Sequence, residues 1–278
     1  MPRPRRILQL SDPHLLADPD GVVRGRRPLP LLRHGLQQAE RQLREVGEAP
    51  DLLLISGDLC DDESWGGYGR LRDLLAEWPQ PVALLAGNHD HPALLRAALG
   101  RQVLIGPASL HLGSWQLLLL HSHRAAEPGG ALGRRQLAWL EAVLAAGVAP
   151  ALVALHHPPV AIGDPFMDGI GLADGEELLA LLGRFPRVRL VLFGHVHQHW
   201  QGGDPPGQGL TLLGCPSTLC AFGPVQPCPL GRSADPGGRV LELGARGEIR
   251  QRLLRWSLPE GPSVAPCPRP PFPSGAPA

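Results

Sequence analysis

The chain contains no lysine: its 26 basic residues are all arginine, and 26 acidic residues balance them to a formal net charge of zero. A chain without a basic excess has no field for bulk capture of nucleic acid or an anionic membrane, so any anionic ligand must be held by local charge. Aromatic residues are scarce at 4%, with one tyrosine, which leaves the core to Leu, Val and Ala. The five cysteines (Cys60, Cys215, Cys220, Cys228, Cys267) are irregularly spaced and form no C-x-x-C pair. That excludes a disulfide framework and a structural zinc site, and suits a reducing cytoplasm. No window approaches the ~20 apolar residues of a membrane span. The opening MPRPRRILQL has the basic start of a secretory signal without its apolar stretch. These absences predict a soluble cytoplasmic protein with no nucleic-acid or membrane partner; they leave monomer and homodimer both open.

What is present is alternation. Ile7–Leu10, Leu52–Ile55, Val82–Leu85, Leu117–Leu120, Leu152–Leu155 and Val188–Phe193 are short apolar runs closed by Gly, Pro, Ser or Asp, and read as buried strands. Between them Leu31–Val46, Tyr68–Glu77, Pro92–Leu99, Arg134–Ala146 and Gly175–Arg184 read as helices. The pattern predicts an α/β protein with a largely parallel central sheet. After Trp200 it becomes strand-like (Leu210–Leu213, Val240–Leu243, Ile249–Leu254), which suggests a second sheet completing a domain over residues 1–256. Residues 257–278 are dense in proline, lack periodicity and are expected to form a disordered tail.

Each strand is followed by chemistry. The first leads into Ser11-Asp12-Pro13-His14, the second into Gly57-Asp58-Leu59-Cys60-Asp61 and the third into Gly87-Asn88-His89-Asp90, which holds the chain's single asparagine. The fifth gives His156-His157-Pro158-Pro159 and the sixth Gly194-His195-Val196-His197. Open α/β sheets build their sites at the carboxyl ends of parallel strands, so five segments should converge at one edge. Taken singly, each is an ordinary strand-exit turn; their joint occurrence in this order is not. Carboxylate oxygen, imidazole nitrogen and amide oxygen without thiolate suit Mn, Fe, Co or Zn. Seven candidate ligands are too many for one four-coordinate ion and fit two ions sharing a carboxylate. On an extended backbone His195 and His197 share a face about 6.6 Å apart, a spacing that serves two neighbouring ions or one. His199 would fall beyond that reach and reads as a solvated loop residue.

D-x-H, G-D-x-x-D, G-N-H-D, a strand-end histidine and G-H-x-H, in that order over residues 5 to 256, resemble the calcineurin-like metallophosphoesterases. RILQLSDPHLL, GALGRRQLAWLEAVL, LHHPPV and GCPSTLCAF further resemble the bacterial class III cyclic-nucleotide phosphodiesterases of CpdA type. The resemblance implies a four-layer αββα sandwich of two mixed β-sheets flanked by helices. It implies two metal ions per chain, Fe and Mn foremost with Zn or Co as alternatives. One would be held by Asp12, His14, Asp58 and His197, the other by Asp58, Asn88, His156 and His195, with His157 the alternative to His156. His89, oriented by Asp61, would be catalytic, and His89, Asn88 and His197 would meet the substrate.

The implied reaction is hydrolysis of 3′,5′-cyclic AMP to 5′-AMP by a metal-bridging hydroxide, with His89 protonating the leaving 3′ oxygen. A glycerophosphodiesterase or broad phosphodiesterase is the rival on the same scaffold, because FMDG after the HHPP turn resembles that subgroup. A catalytically dead interaction scaffold would show broken ligand sets, and every ligand position here is filled. Two departures from the relatives stand out. The strand before GALGRRQLAWL ends in His121-Ser122-His123 where an aspartate is usual, leaving His121 to line the pocket or merely close the strand. Gly21–Pro30, where relatives carry substrate-facing residues, matches poorly.

Overall fold

The computed structural model describes residues 3–203 and 209–258; the expected tail lies outside the described residues from residue 259 onward. The first half of the chain runs β1 (Arg5–Leu10), α1 (Pro28–Glu45), β2 (Leu52–Ser56), α2 (Trp65–Leu75), β3 (Val82–Leu85), α3 (Pro92–Leu99), β4 (Leu104–Ile105), β5 (Ala108–Leu112) and β6 (Trp115–Leu119). Then follow α4 (Gly133–Ala146), β7 (Ala151–Ala154), α5 (Pro165–Asp168), α6 (Gly175–Gly183), β8 (Val188–Phe193), β9 (Trp200–Gly203), β10 (Thr211–Gly214), β11 (Gly237–Leu243) and β12 (Ile249–Arg255).

Successive side chains in the central strands alternate between two apolar surroundings. Ile7, Leu52, Leu54 and Leu85 enter a cluster shared with Leu117, Leu119, Leu152, Leu190 and Leu192. Leu8, Leu10, Leu53 and Ile55 instead pack with Leu32, Leu36, Tyr68, Leu71 and Leu95 of α1, α2 and α3. On the other side Leu118, Val153, Val191 and Phe193 pack with Leu140, Leu144, Leu178 and Leu182 of α4 and α6. Strands covered on both faces need apolar residues at both parities, which is why LLLIS shows no polar alternation. The result is four layers: helices, sheet, sheet, helices.

Each sheet has six strands, in the orders β12-β11-β1-β2-β3-β4 and β5-β6-β7-β8-β10-β9. The parallel run β1-β2-β3-β4 is extended by antiparallel β11 and β12, and the parallel run β6-β7-β8-β10 is bounded by antiparallel β5 and β9. Two corrections to the sequence reading follow. There is no single central sheet, because the repeating strand–helix units are divided between two sheets. Nor do the strands after Trp200 form a sheet of their own. Thr211–Gly214 joins the second sheet beside β8, whereas β11 and β12 return to the first, where the outer edge of β1 offers unpaired backbone groups. Strand β4 has two residues and α5 four, too few to leave a periodic signal in the sequence.

Candidate metal centre

The loops leaving β1, β2, β3, β7 and β8 meet at the carboxyl edges of both sheets and are stitched together by backbone bonds. Asp12 N–H donates to the Gly57 carbonyl (3.1 Å), His14 N–H to that of Asp58 (2.9 Å), and Gly194 N–H to that of His156 (3.1 Å). Backbone N–H groups also fix both carboxylates: His195 donates to Asp12 Oδ1 (3.2 Å) and His89 to Asp58 Oδ1 (3.0 Å).

The backbone here is not extended. Asp12, His14, Asp58, His195 and His197 all have left-handed φ, between 49° and 67°. The expectation that His195 and His197 alternate along a strand is therefore corrected: β8 ends at Phe193, and the turn beyond it aims the two imidazoles. Such a conformation costs a non-glycine residue about 1–3 kcal/mol and persists only where the surroundings impose it. Glycines make the close approach possible. A Cβ on Gly87 would lie 2.1 Å from Asp58 Oδ1 and 2.7 Å from His156 Nε2, and one on Gly57 2.2 Å from His156 Nδ1.

Asp12, His14, Asp58 and His197 present ligand atoms within 4.8 Å of one another, all buried. His14 Nε2 is 3.2 Å from His197 Nε2, and His197 Nε2 is 3.3 Å from Asp12 Oδ1. A second group forms around His156 Nε2, which lies 3.3 Å from Asn88 Oδ1, 3.3 Å from His195 Nδ1 and 3.4 Å from Asp58 Oδ1. The other Asp58 oxygen, Oδ2, faces His14 Nε2 at 3.6 Å. Asp58 thus turns one oxygen toward each group, as a shared ligand would.

The tautomers agree with metal binding. His14 Nδ1 donates to Asp61 Oδ1 (2.8 Å), His156 Nδ1 to the Ser56 carbonyl (2.7 Å) and His197 Nδ1 to the Cys220 carbonyl (3.1 Å). Each bond leaves the Nε2 lone pair pointing into the centre, the usual outer support of a ligating histidine. Two such lone pairs facing at 3.2 Å repel unless a cation lies between them; ligands about 2.1 Å from one ion at a right angle sit ~3.0 Å apart. Asp12 Oδ2 and His195 Nε2 are buried without a hydrogen-bond partner among the described residues. The donor set, the orphaned atoms and the crowded lone pairs all fit two divalent ions.

Electrostatics point the same way. Burial opposes ionisation of Asp58, but His156 and His89 outweigh it and hold its pKa well below the usual carboxylate range. Asp12 is likewise lowered, by His197 against the effect of burial. His156, disfavoured as a cation by burial, is pushed up to about 9 by Asp58. Burial, with His157 and His156 beside it, drives the His195 pKa well down.

The remaining candidates sort by their partners. His157 belongs geometrically with His156 and His195. Its two nitrogens, however, are engaged elsewhere, Nδ1 with Ser122 Oγ (2.8 Å) and Nε2 with the Pro128 carbonyl (3.2 Å), and burial holds its pKa down at about 3. His121 does not face the metal cluster: it lines a separate cavity of about 760 Å³ beside α4, and its backbone is tied to Gln136. His199 is not a solvated loop residue as expected; it is 8% exposed, and its Nδ1 accepts from the fully buried Arg239 (3.0 Å). Asp168 of FMDG caps its own loop by accepting from Ile162 N–H and Gly163 N–H, while Phe166 and Met167 line the metal cavity. Asp61 lies 2.8 Å from His14 Nδ1 and 3.3 Å from His89 Nδ1, so it contacts a candidate ligand as well as the expected catalytic group.

Sequence reasoning assigned nothing to Asp90. Fully buried, it accepts from Leu59 N–H, Cys60 N–H, Gly87 N–H and the hydroxyl of Tyr68, the single tyrosine, and so clamps the loops carrying Asp58 and Asn88 together. Its place inside G-N-H-D was the available signal.

Above the centre opens a cavity of about 310 Å³ lined by Asp58, Asn88, His89, His195 and His197, at the lower end of small-ligand pockets. Two sandwiched sheets under a two-group, sulfur-free centre define an α/β metallohydrolase. The chain belongs to the calcineurin-like phosphoesterase family, whose sequence profile matches residues 5–199. It is 52% identical over 265 residues to a probable cyclic nucleotide phosphodiesterase of Synechococcus sp. (strain WH7803), covering 92% of this chain and 98% of that one. It is 34% identical over 253 residues to the 3′,5′-cyclic adenosine monophosphate phosphodiesterase of Escherichia coli (strain K12), covering 90% and 89%. Among solved structures, a purple acid phosphatase from yellow lupin superposes with TM-score 0.64 at 15% identity, over 92% of this chain and 52% of that one. A dimetal phosphatase from Danio rerio gives TM-score 0.59 at 18% identity, over 92% and 100%. Both likenesses concern the fold.

Proposed function

We propose that the protein is a dinuclear-metal phosphodiesterase that hydrolyses 3′,5′-cyclic nucleotides, cyclic AMP among them, to 5′-nucleotides. The observation that carries the reading is Asp58, whose two oxygens face two separate ligand groups. Asp12, His14, Asp58 and His197 would hold one ion, and Asp58, Asn88, His156 and His195 the other. His156 is chosen over His157 because only its Nε2 is left pointing into the centre. The N/O donor set suits Fe and Mn, with Zn or Co as substitutes. When bound, the two ions supply Lewis acidity toward the phosphoryl oxygens and lower the pKa of an attacking water toward neutrality.

The chain's own residues do the rest. His89 lines the cavity as a partly exposed imidazole, with its Nδ1 3.3 Å from Asp61 Oδ1. That contact orients the ring and leaves Nε2 to donate a proton. As the P–O3′ bond breaks, His89 delivers that proton to the departing 3′ oxygen, a contribution of ~10²–10⁴-fold. Asp61 holds the ring in position for the transfer. The amide of Asn88 and the ring of His197 border the position of the phosphoryl group. With both ions bound, their charge would outweigh that of Asp12 and Asp58 and would let a neutral chain hold an anionic diester.

Purified protein should contain about two transition-metal ions per chain. In Mn²⁺, kcat/KM for 3′,5′-cyclic AMP or cyclic GMP should exceed that for glycerophosphodiesters and bis(p-nitrophenyl) phosphate. A metal content near zero, or a preference for glycerophosphodiesters, contradicts the assignment. No helix among the described residues is long and apolar enough to cross a membrane; a cytoplasmic site, a small-molecule substrate and a monomer or homodimer complete the reading.

A further inference from the structure

Among the described residues, eight non-glycine positions have left-handed backbone: Asp12, His14, Arg24, Asp58, Glu63, Ala126, His195 and His197. Five of these belong to the two ligand groups. The other three, Arg24, Glu63 and Ala126, line the cavity above them. Unfavourable backbone geometry in this chain is therefore concentrated on one site, where surroundings that impose it mark positions chosen for something other than local stability.

Arg24 is the least expected of the three. Val23 N–H donates to the Arg26 carbonyl (2.8 Å) and Arg26 N–H returns a bond to the Val23 carbonyl (2.9 Å). Arg24 and Gly25 between them have φ of 50° and 77°. Two left-handed residues inside such a bridge make a type I′ turn, whose first central position favours Asn, Asp or Gly. Arginine has no conformational reason to be there.

The turn is bolted to the metal centre. Val23 is buried in the core, and Arg26 Nη1 donates to the Leu219 carbonyl (2.8 Å). One residue further on, the Cys220 carbonyl accepts His197 Nδ1. Phe222 then lies flat on His197, its ring centroid 4.3 Å away and the planes 14° apart, and the Arg24 guanidinium carbon sits over Phe222 at 5.2 Å from the ring centroid. The contacts from ligand outward thus run His197, Phe222, Arg24. Among the described residues Arg24 is the only arginine lining this cavity, in a chain without lysine. The same cavity carries the apolar side chains of Phe166, Met167 and Ile170.

We propose that Arg24 is a specificity-determining residue that binds the nucleobase end of the substrate. This rests on the reading of the cavity as a cyclic-nucleotide site. A guanidinium offers donors only, in a planar fork, and so addresses the acceptor ring nitrogens of a purine and, in guanine, the exocyclic oxygen as well. A flat base finds apolar lining in Phe166, Met167 and Ile170, while its phosphodiester sits over the ligand groups. The placement of Arg24 one ring outward from His197 assigns it to the far end of the substrate rather than to the phosphorus.

The test is Arg24→Asn, which creates the Asn-Gly pair that a type I′ turn prefers. Folding is therefore protected, and the melting temperature should not fall. Kinetics are compared on cyclic AMP, cyclic GMP and methyl p-nitrophenyl phosphate, a diester with no nucleoside. The ratio of kcat/KM for cyclic nucleotide to that for the simple diester should drop about 10–100-fold, the equivalent of one charged hydrogen bond. The loss should appear in KM more than in kcat. An unchanged ratio overturns the proposal, whether both activities persist or both fall together, since the second result would place Arg24 at the phosphoryl group. A wild type active on the simple diester but on no cyclic nucleotide overturns the functional reading, and this proposal with it.

Discussion

Asp90→Asn should destabilise the fold and weaken metal binding together. The side chains are nearly isosteric, so the change creates neither void nor clash and acts on hydrogen bonding and charge alone. Asp90 Oδ1 receives Cys60 N–H (3.1 Å), Tyr68 O–H (3.0 Å) and one branch of Leu59 N–H (3.1 Å); Oδ2 receives Gly87 N–H (2.8 Å) and the other branch (3.0 Å). An amide nitrogen at Oδ2 confronts Gly87 N–H with a second donor; at Oδ1 it confronts Cys60 N–H. One buried donor left unsatisfied costs about 1–3 kcal/mol. The bonds that survive lose a charged acceptor, and charge-assisted bonds are roughly twice as strong as neutral ones.

The sum is on the order of 3 kcal/mol, which lowers Tm by about 5 °C in a chain of this size. Because Gly87 precedes Asn88, affinity for the ion on that side should fall as well, about 10–100-fold as for other supports of ligating residues. A thermal melt and a metal titration at pH 8 measure both. There is a counterargument to be beaten: burial and the charge of Asp58 push the Asp90 pKa up to about 7. If burial dominates, uncharged Asn is as stable as Asp or more so, and an unchanged or raised Tm refutes the donor accounting. We expect the loss, because three of the four groups facing this carboxyl are backbone N–H donors that cannot accept a proton's bond.

Gly87→Ala places a methyl group against Asp58 Oδ1 and His156 Nε2. It should abolish binding of at least one ion and reduce turnover by orders of magnitude; full metal content would mean that the loop yields freely. Acid should destabilise the fold through histidines buried as neutral rings. Burial holds His157 at about 3, and burial with Arg239 holds His199 at about 4, both below the unfolded value of 6.5. Their contribution is complete above pH 6.5 and is lost as pH falls toward those values, by up to about 1.4 kcal/mol per pH unit for each. Urea midpoints of chelator-treated protein at pH 7.5, 6 and 5 report this slope. His199→Gln, which keeps an acceptor for Arg239, should flatten it; an identical slope in the variant removes His199 from the account.

The sequence alone carried the candidate ligands, because residue types and their order are local facts. Asp12, Asp58, Asn88, His156 and His195 each follow an apolar run, and a buried parallel strand announces itself by its composition and the glycine or serine that ends it. Val82–Leu85, Val188–Phe193 and Pro92–Leu99 were readable to the residue for the same reason. What the tertiary structure decided was everything that depends on partners distant in the chain. Sheet membership of β11 and β12 is set by which edge is left unpaired, and no local pattern encodes that. His156 and His157 are identical in sequence terms; they differ because Ser56 lies behind one ring, and Ser122 and Pro128 hold the other. His199 looked like a loop residue until Arg239, forty positions away, was found beside it. Asp90 was visible in the motif, but three of its four donors come from two other segments, the loop after β2 and α2. Residue type is written along the chain, whereas burial and hydrogen-bond pairing are properties of the folded neighbourhood.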